Sequence, residues 1–127
     1  MSILVVKMAT HNDIGKKGEE LASQFLIENG YQILTKNYRY QKAEIDIIAE
    51  KGRYIVFIEV KTRTTDYQLP EEAVHKTKQR LIHKASDEYL YQNKIEKNVR
   101  FDIISIFFWP DKTKIYHIED AFFPKLN

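Results

Sequence analysis

Residues 43–61, AEIDIIAEKGRYIVFIEVK, constrain the fold more than any other stretch of the chain. Two runs of β-branched and aromatic residues flank Lys51-Gly52, which reads as a two-residue hairpin turn. A register that pairs Glu50 with Arg53 sets Glu44 opposite Glu59 and Asp46 opposite Phe57. Asp46 and Glu59 are then diagonal neighbours, roughly 7–8 Å apart at Cα. Ile45, Ile47 and Ala49 share the other face with Tyr54, Val56 and Ile58. The acidic face is also apolar near the turn, through Ile48, Ile55 and Phe57. A hairpin apolar on both sides needs cover on both, so it belongs inside the sheet of an α/β domain.

The flanking segments supply that cover. Residues 13–29 place Ile14, Gly18, Leu21, Ala22, Phe25 and Leu26 at helical spacing, with Asn12 or Asp13 as cap and Gly30 as terminator. YQIL follows as a strand, and TKNYRYQKA reads as a turn or an irregular edge. TRTTDYQLP at 62–70 reads as a polar loop that Pro70 ends. A second helix over residues 71–93 has Ala73, Thr77, Leu81, Ala85 and Tyr89 or Leu90 on its apolar side. VRFDIISIFF at 99–108 is a strand, and a last strand lies in KTKIYHIEDAF after a turn at PDK. The expected order is helix, three strands, helix, two strands. A single domain spans residues 13–127, preceded by a flexible N-terminal extension over residues 1–12, with Met8 as an alternative start.

Composition narrows the function classes. The 127 residues contain no cysteine, which excludes a disulfide scaffold and thiolate chemistry and fits a reducing, cytoplasmic setting. No apolar run is long enough to span a bilayer, so no membrane partner is expected. There is no phosphate-binding or dinucleotide glycine loop, and the four histidines lack zinc-ligand spacing. The net charge is +2, yet residues 36–84 hold 11 basic and 7 acidic residues. A positive bias around the unusual hairpin suits a polyanion such as DNA. Its candidate phosphate contacts are Lys76, Lys78, Arg80 and Lys84 on the second helix, with Arg39, Lys42 and Arg63.

The hairpin's far end carries the chemistry. Glu59 and Lys61 point to one side of their strand, and Asp46 reaches that side from the next. Glu44 is close by, able to contact solvent or Arg39. Crowded, partly covered carboxylates repel one another unless a proton or a cation offsets them. Mg²⁺, with Mn²⁺ as substitute, takes oxygen ligands from one or two carboxylates and keeps several waters. Lys61 beside such an ion is suited to orient a water and oppose charge on a phosphate. The same pattern also describes a surface ion pair worth roughly 0–1 kcal/mol, and spacing leaves both readings open. Asp102, inside an apolar strand, is expected to pair with Arg100.

Six motifs in order, GKKGEELA (15–22), NYR (37–39), AEIDII (43–48), FIEVKTR (57–63), EEAVHKTKQRL (71–81) and VRFDII (99–104), resemble those of the YraN-like protein family. The resemblance covers about residues 13–107. It implies an α/β restriction-endonuclease-like fold, a mixed central β-sheet flanked by helices, similar to archaeal Holliday junction resolvases. It further implies a metal-dependent endonuclease acting on DNA, with branched or structured DNA as candidate substrate. Asp46 matches the first-strand aspartate of the nuclease motif, and Glu59 and Lys61 match its E-x-K pair. Glu19 matches a first-helix glutamate that completes the catalytic and metal-binding set. Gln79 or Lys78 falls where related nucleases place an auxiliary polar residue, and Glu44 is a further auxiliary candidate. Ala43 stands where the family commonly has glycine. A homodimer is compatible with cutting two strands. The alternatives are a non-catalytic nucleic-acid-binding module and a structural protein whose acids form a polar network.

Overall fold

Hydrogen-bonded pairing along one sheet organises the chain. The computed structural model describes residues 11–64 and 76–122. The elements run α1 (His11–Glu28), β1 (Gln32–Tyr40), β2 (Ala43–Lys51), β3 (Tyr54–Arg63), α2 (Lys76–Gln92), β4 (Asn98–Phe108) and β5 (Thr113–Ile118). The strand order is β1-β2-β3-β4-β5. β3 and β4 pair in parallel, and the other three pairs are antiparallel. The result is an α/β domain with a mixed five-stranded sheet. No helix of the described residues is long and apolar enough to cross a membrane.

Each sheet face carries its own core. On one face Ala22 and Leu26 of α1 meet Ile47, Ala49, Val56, Ile58, Ile104 and Ile106. On the other, Ile82 and Ala85 of α2 meet Ile48, Ile55, Phe57, Phe101 and Ile103. The central strands are therefore apolar on both sides, as a parallel pair under two helix layers must be. On α2 the buried positions are Ile82, Ala85 and Ser86, so the expected Ala85 is buried while the expected Thr77 is exposed. The expected loop gives up Thr62 and Arg63 to the end of β3; its later residues with Pro70, the start of the expected second helix with Ala73, and residues 1–10 lie outside the described residues. His11 and Asn12, assigned to the extension, already belong to α1.

Both helices end in the same way. After α1, Tyr31 N–H donates to Leu26 O at 2.9 Å and Gly30 N–H to Ile27 O at 3.1 Å, with Gly30 at φ +87°. After α2, Ile95 N–H donates to Leu90 O at 3.0 Å and Lys94 N–H to Tyr91 O at 3.3 Å, with Lys94 at φ 52°. These are paired Schellman closures, the second without the glycine that best tolerates it.

Four expectations about the hairpin and its neighbouring edge strand change. The turn is Gly52-Arg53, because Lys51 pairs with Tyr54 and Glu50 with Ile55. Gly52 alone of the two has positive φ, the type II′ pattern that wants glycine first. The register thus slips by two residues, which preserves every face but brings Asp46 level with Glu59, one step beyond the last ladder pair, Ile47–Ile58. TKNYRY is also mostly strand: β1 runs on to Tyr40 as an edge, interrupted by Asn37 at φ 53°. Asn37 lies level with Asp46, between the pairs Lys36–Ile47 and Tyr38–Ile45. Strict alternation fails there, and Ile45 packs with Ile48 and Phe57 rather than with Ile47 and Ala49.

Candidate functional site

The β2–β3 ladder ends where the acids begin. Beyond Ile47–Ile58, the Asp46 carboxylate accepts the Val60 N–H at 2.8 Å. A side chain so takes the place of a strand partner. The carboxylate is fixed beside Glu59 at the mouth of the hairpin. α1 approaches β3 next to this point. A Cβ on Gly18 would lie 2.0 Å from Thr62 Cγ2, so only glycine lets the helix come this close. The neighbouring Glu19 is carried to the same place. A cleft of about 320 Å³ opens between α1, the β2 and β3 ends and α2, lined among others by Glu19, Lys42, Glu44, Asp46, Glu59 and Lys78.

Four carboxylates on one small cleft set its electrostatics. Asp46 is 9% exposed and Glu59 8%. Burial pushes the Asp46 carboxyl up to about 7, and the charge of Glu59 adds to it against the Val60 hydrogen bond, with Glu19 and Glu44 contributing further. Burial also raises Glu19, opposed by a side-chain hydrogen bond with Asn37 and reinforced by Glu44 and Glu59. Glu44 makes an ion pair with Arg39 at 2.9 Å, as one of its sequence readings held. Glu59 forms an ion pair with Lys78 of α2 through Oε1.

The expected site residues therefore divide. Glu19, Glu44, Asp46 and Glu59 meet at the cleft, together with Lys42 and Lys78. Lys61 and Gln79 are half-buried and are not among the described residues that line it. Among the phosphate-contact candidates, Lys76, Arg80 and Lys84 are exposed at four-residue intervals on α2, and Lys42 is exposed at the cleft. Arg63 donates to the Thr62 carbonyl at 3.0 Å, and Arg39 is occupied by Glu44. Lys78, itself exposed, is paired with Glu59. Asn37 was missed, although an asparagine level with Asp46 is the residue type that accepts a left-handed kink.

The chemistry of these donors suits a hard cation. Among the described residues, no group of three or more acidic or histidine side chains is gathered closely enough to hold an ion together. Asp46 and Glu59, neighbouring and buried, are the pair able to offer oxygens, which leaves the other positions to water, as Mg²⁺ and Mn²⁺ accept.

A second buried aspartate has a different setting. Asp102, fully buried, accepts from Arg100 Nε and Nη2 at 3.0 Å each, from Asp120 N–H at 3.1 Å, and lies 2.7 Å from His117 Nε2. Arg100 also reaches the Tyr31 hydroxyl and Glu119. Burial alone would lower the guanidinium's proton affinity, but the Asp102 contacts outweigh it and raise it. The expected Arg100–Asp102 pair is present. His117 and Tyr31 joined it from distant segments without a local signal.

Comparison with known proteins places this arrangement. The sequence profile of Uncharacterised protein family UPF0102 matches residues 18–106. A UPF0102 protein of Flavobacterium psychrophilum is 47% identical over 117 residues, covering 91% of this chain and 98% of its own. That of Christiangramia forsetii is 48% identical with the same coverage, and that of Thermodesulfovibrio yellowstonii is 47% identical over 87% of this chain and 96% of its own. A solved structure named SSO0001 is 20% identical over 91% of this chain and 55% of its own, at a TM-score of 0.39, too loose a likeness to assign a fold. The profile runs from Gly18 to Ile106 in β4, and with these near full-length relatives it shows that the chain belongs to Uncharacterised protein family UPF0102.

Proposed function

We propose that the chain is a divalent-cation-dependent endonuclease that hydrolyses DNA phosphodiester bonds, with branched or structured DNA as its substrate, on a restriction-endonuclease-like variant of the α/β fold. The observation that carries the reading is the pair Asp46 and Glu59, two buried carboxylates held level at the mouth of a cleft. Asp46 and Glu59 would hold Mg²⁺ or Mn²⁺, with Glu19 acting through water. When bound, such an ion supplies Lewis acidity to the phosphoryl oxygen and a water of lowered pKa. Asp46, kept in place by the Val60 N–H, orients that water shell against the scissile phosphate. Lys61, two residues from Glu59, offsets charge as the phosphate is attacked. Lys42 at the cleft and Lys76, Arg80 and Lys84 along α2 hold backbone phosphates, giving salt-sensitive binding. Arg63 and Arg39 steady the outer shell of the site, with Gln79 as auxiliary. Two copies would be needed to cut both strands in one encounter.

The test is a panel of linear, flapped and four-way DNA, with matched RNA, incubated with Mn²⁺ or Mg²⁺. Cleavage of a DNA substrate is expected, with Asp46→Asn and Glu59→Gln each lowering it by on the order of a hundredfold or more. Cleavage that survives both substitutions would refute the assignment. The Lys78–Glu59 pair favours a second reading, a structural protein whose acids form a polar network; a non-catalytic nucleic-acid-binding module is the other alternative. The binding module predicts salt-sensitive DNA binding without cleavage under any divalent ion, and the structural protein predicts neither.

A further inference from the structure

We infer that Lys78 keeps the cation position on Glu59 filled by an ammonium group, so that a divalent ion enters the cleft by displacing it; this rests on the cation-binding reading above. Glu59 is 8% exposed, and an ionised carboxylate so buried needs a counter-charge. The lysines among the cleft's lining residues are Lys42 and Lys78, and it is Lys78 that meets Glu59 Oε1. Lys78 comes from a different element, 19 positions on. Its backbone is set by Leu81 and Ile82, one turn further along α2, which form part of the same cleft wall.

The Lys78 side chain is 48% exposed. A lysine ammonium is a compact charge on a flexible stem, so it can swing into water while α2 stays docked through Ile82 and Ala85. The ammonium sits on the carboxylate that a divalent ion would take as ligand, so the two compete for its charge. Exchange keeps the carboxylate compensated throughout, and it leaves a displaced ammonium near any phosphate in the cleft. The cleft then responds to divalent ion concentration through a competition built from its own residues.

Mn²⁺ titration followed by the electron paramagnetic resonance signal of the free ion tests this without any DNA. Lys78→Met should tighten Mn²⁺ binding about tenfold, the scale of one charge-assisted hydrogen bond. Lys78→Arg, which keeps charge and donor, should return affinity to within about twofold of wild type, and Lys42→Met should also stay within about twofold, the scale of an exposed charge. Equal or weaker binding by Lys78→Met overturns the inference and leaves the cation site standing. Equal tightening by Lys42→Met overturns it too, since the cause would then be net charge. Failure of every variant and of wild type to bind Mn²⁺ overturns both this inference and the cation reading.

Discussion

Asp46 and Asp102 are both buried aspartates on neighbouring parts of one sheet, and their surroundings are opposites. Asp102 is enclosed by a guanidinium, an imidazole and a backbone N–H. Asp46 has one backbone N–H and three neighbouring carboxylates. A buried acid with its charge fully answered holds structure together. A buried acid facing like charges is held at a cost, and such perturbed groups concentrate at functional sites. The contrast separates architecture from chemistry within one small domain.

The sharpest way to break this contrast is to remove each acid in turn. Asp102→Ala leaves Arg100 buried without its partner and should destabilise the fold by about 3–5 kcal/mol. Asp46→Asn removes repulsion and should leave stability unchanged or raised above neutral pH. Urea unfolding reads both, and a loss at Asp46 equal to that at Asp102 would erase the distinction.

pH sharpens it next. The Asp46 carboxyl is raised from 3.8 to about 7 in the folded protein. Above pH 7 the folded state carries the full penalty of ionising it. As pH falls from 7 towards 4 the folded state binds the extra proton, so stability should rise, on the order of a few kcal/mol over that window. Unfolding free energies measured across the range should show this rise in wild type and a flatter profile in Asp46→Asn.

A smaller effect concerns how the cleft is assembled. Gly18→Ala drives a methyl group into Thr62 and should cost about 1–3 kcal/mol. Thr62→Ser removes the opposing methyl and should recover part of that loss in the double variant. The smallest expectation lies far from both acids. Lys94→Gly relieves a left-handed C-cap and should stabilise by about 0.5–1 kcal/mol in the same unfolding assay.

Much of this organisation was legible in the chain. Helical spacing in residues 13–29 and the largely apolar runs of β3 and β4 identify the layers, because burial dictates composition directly. The acids shared a face under either register, since a slip of two residues keeps the pleat. The turn was misplaced because Lys51-Gly52 and Gly52-Arg53 are both two-residue choices, and only the observed φ values separate them. Ile45 packs on the face opposite to the expected one, beside the kink at Asn37 on the neighbouring strand. The pairing of Lys78 with Glu59 has no signal in the chain, because helical periodicity gives a residue's face but not the carboxylate across from it. Tyr31 and His117 reach Asp102 and Arg100 through tertiary packing, to which no local pattern points.

Ligand-linked stability is the most direct test of the central claim. Urea unfolding above pH 7, with and without Mn²⁺, should show wild type stabilised by an amount that grows with ion concentration, on the order of 2–3 kcal/mol at a hundred times the dissociation constant. The Asp46→Asn, Glu59→Gln double variant should show no such shift. An identical shift in both proteins, or none in wild type at saturating ion, would contradict the account.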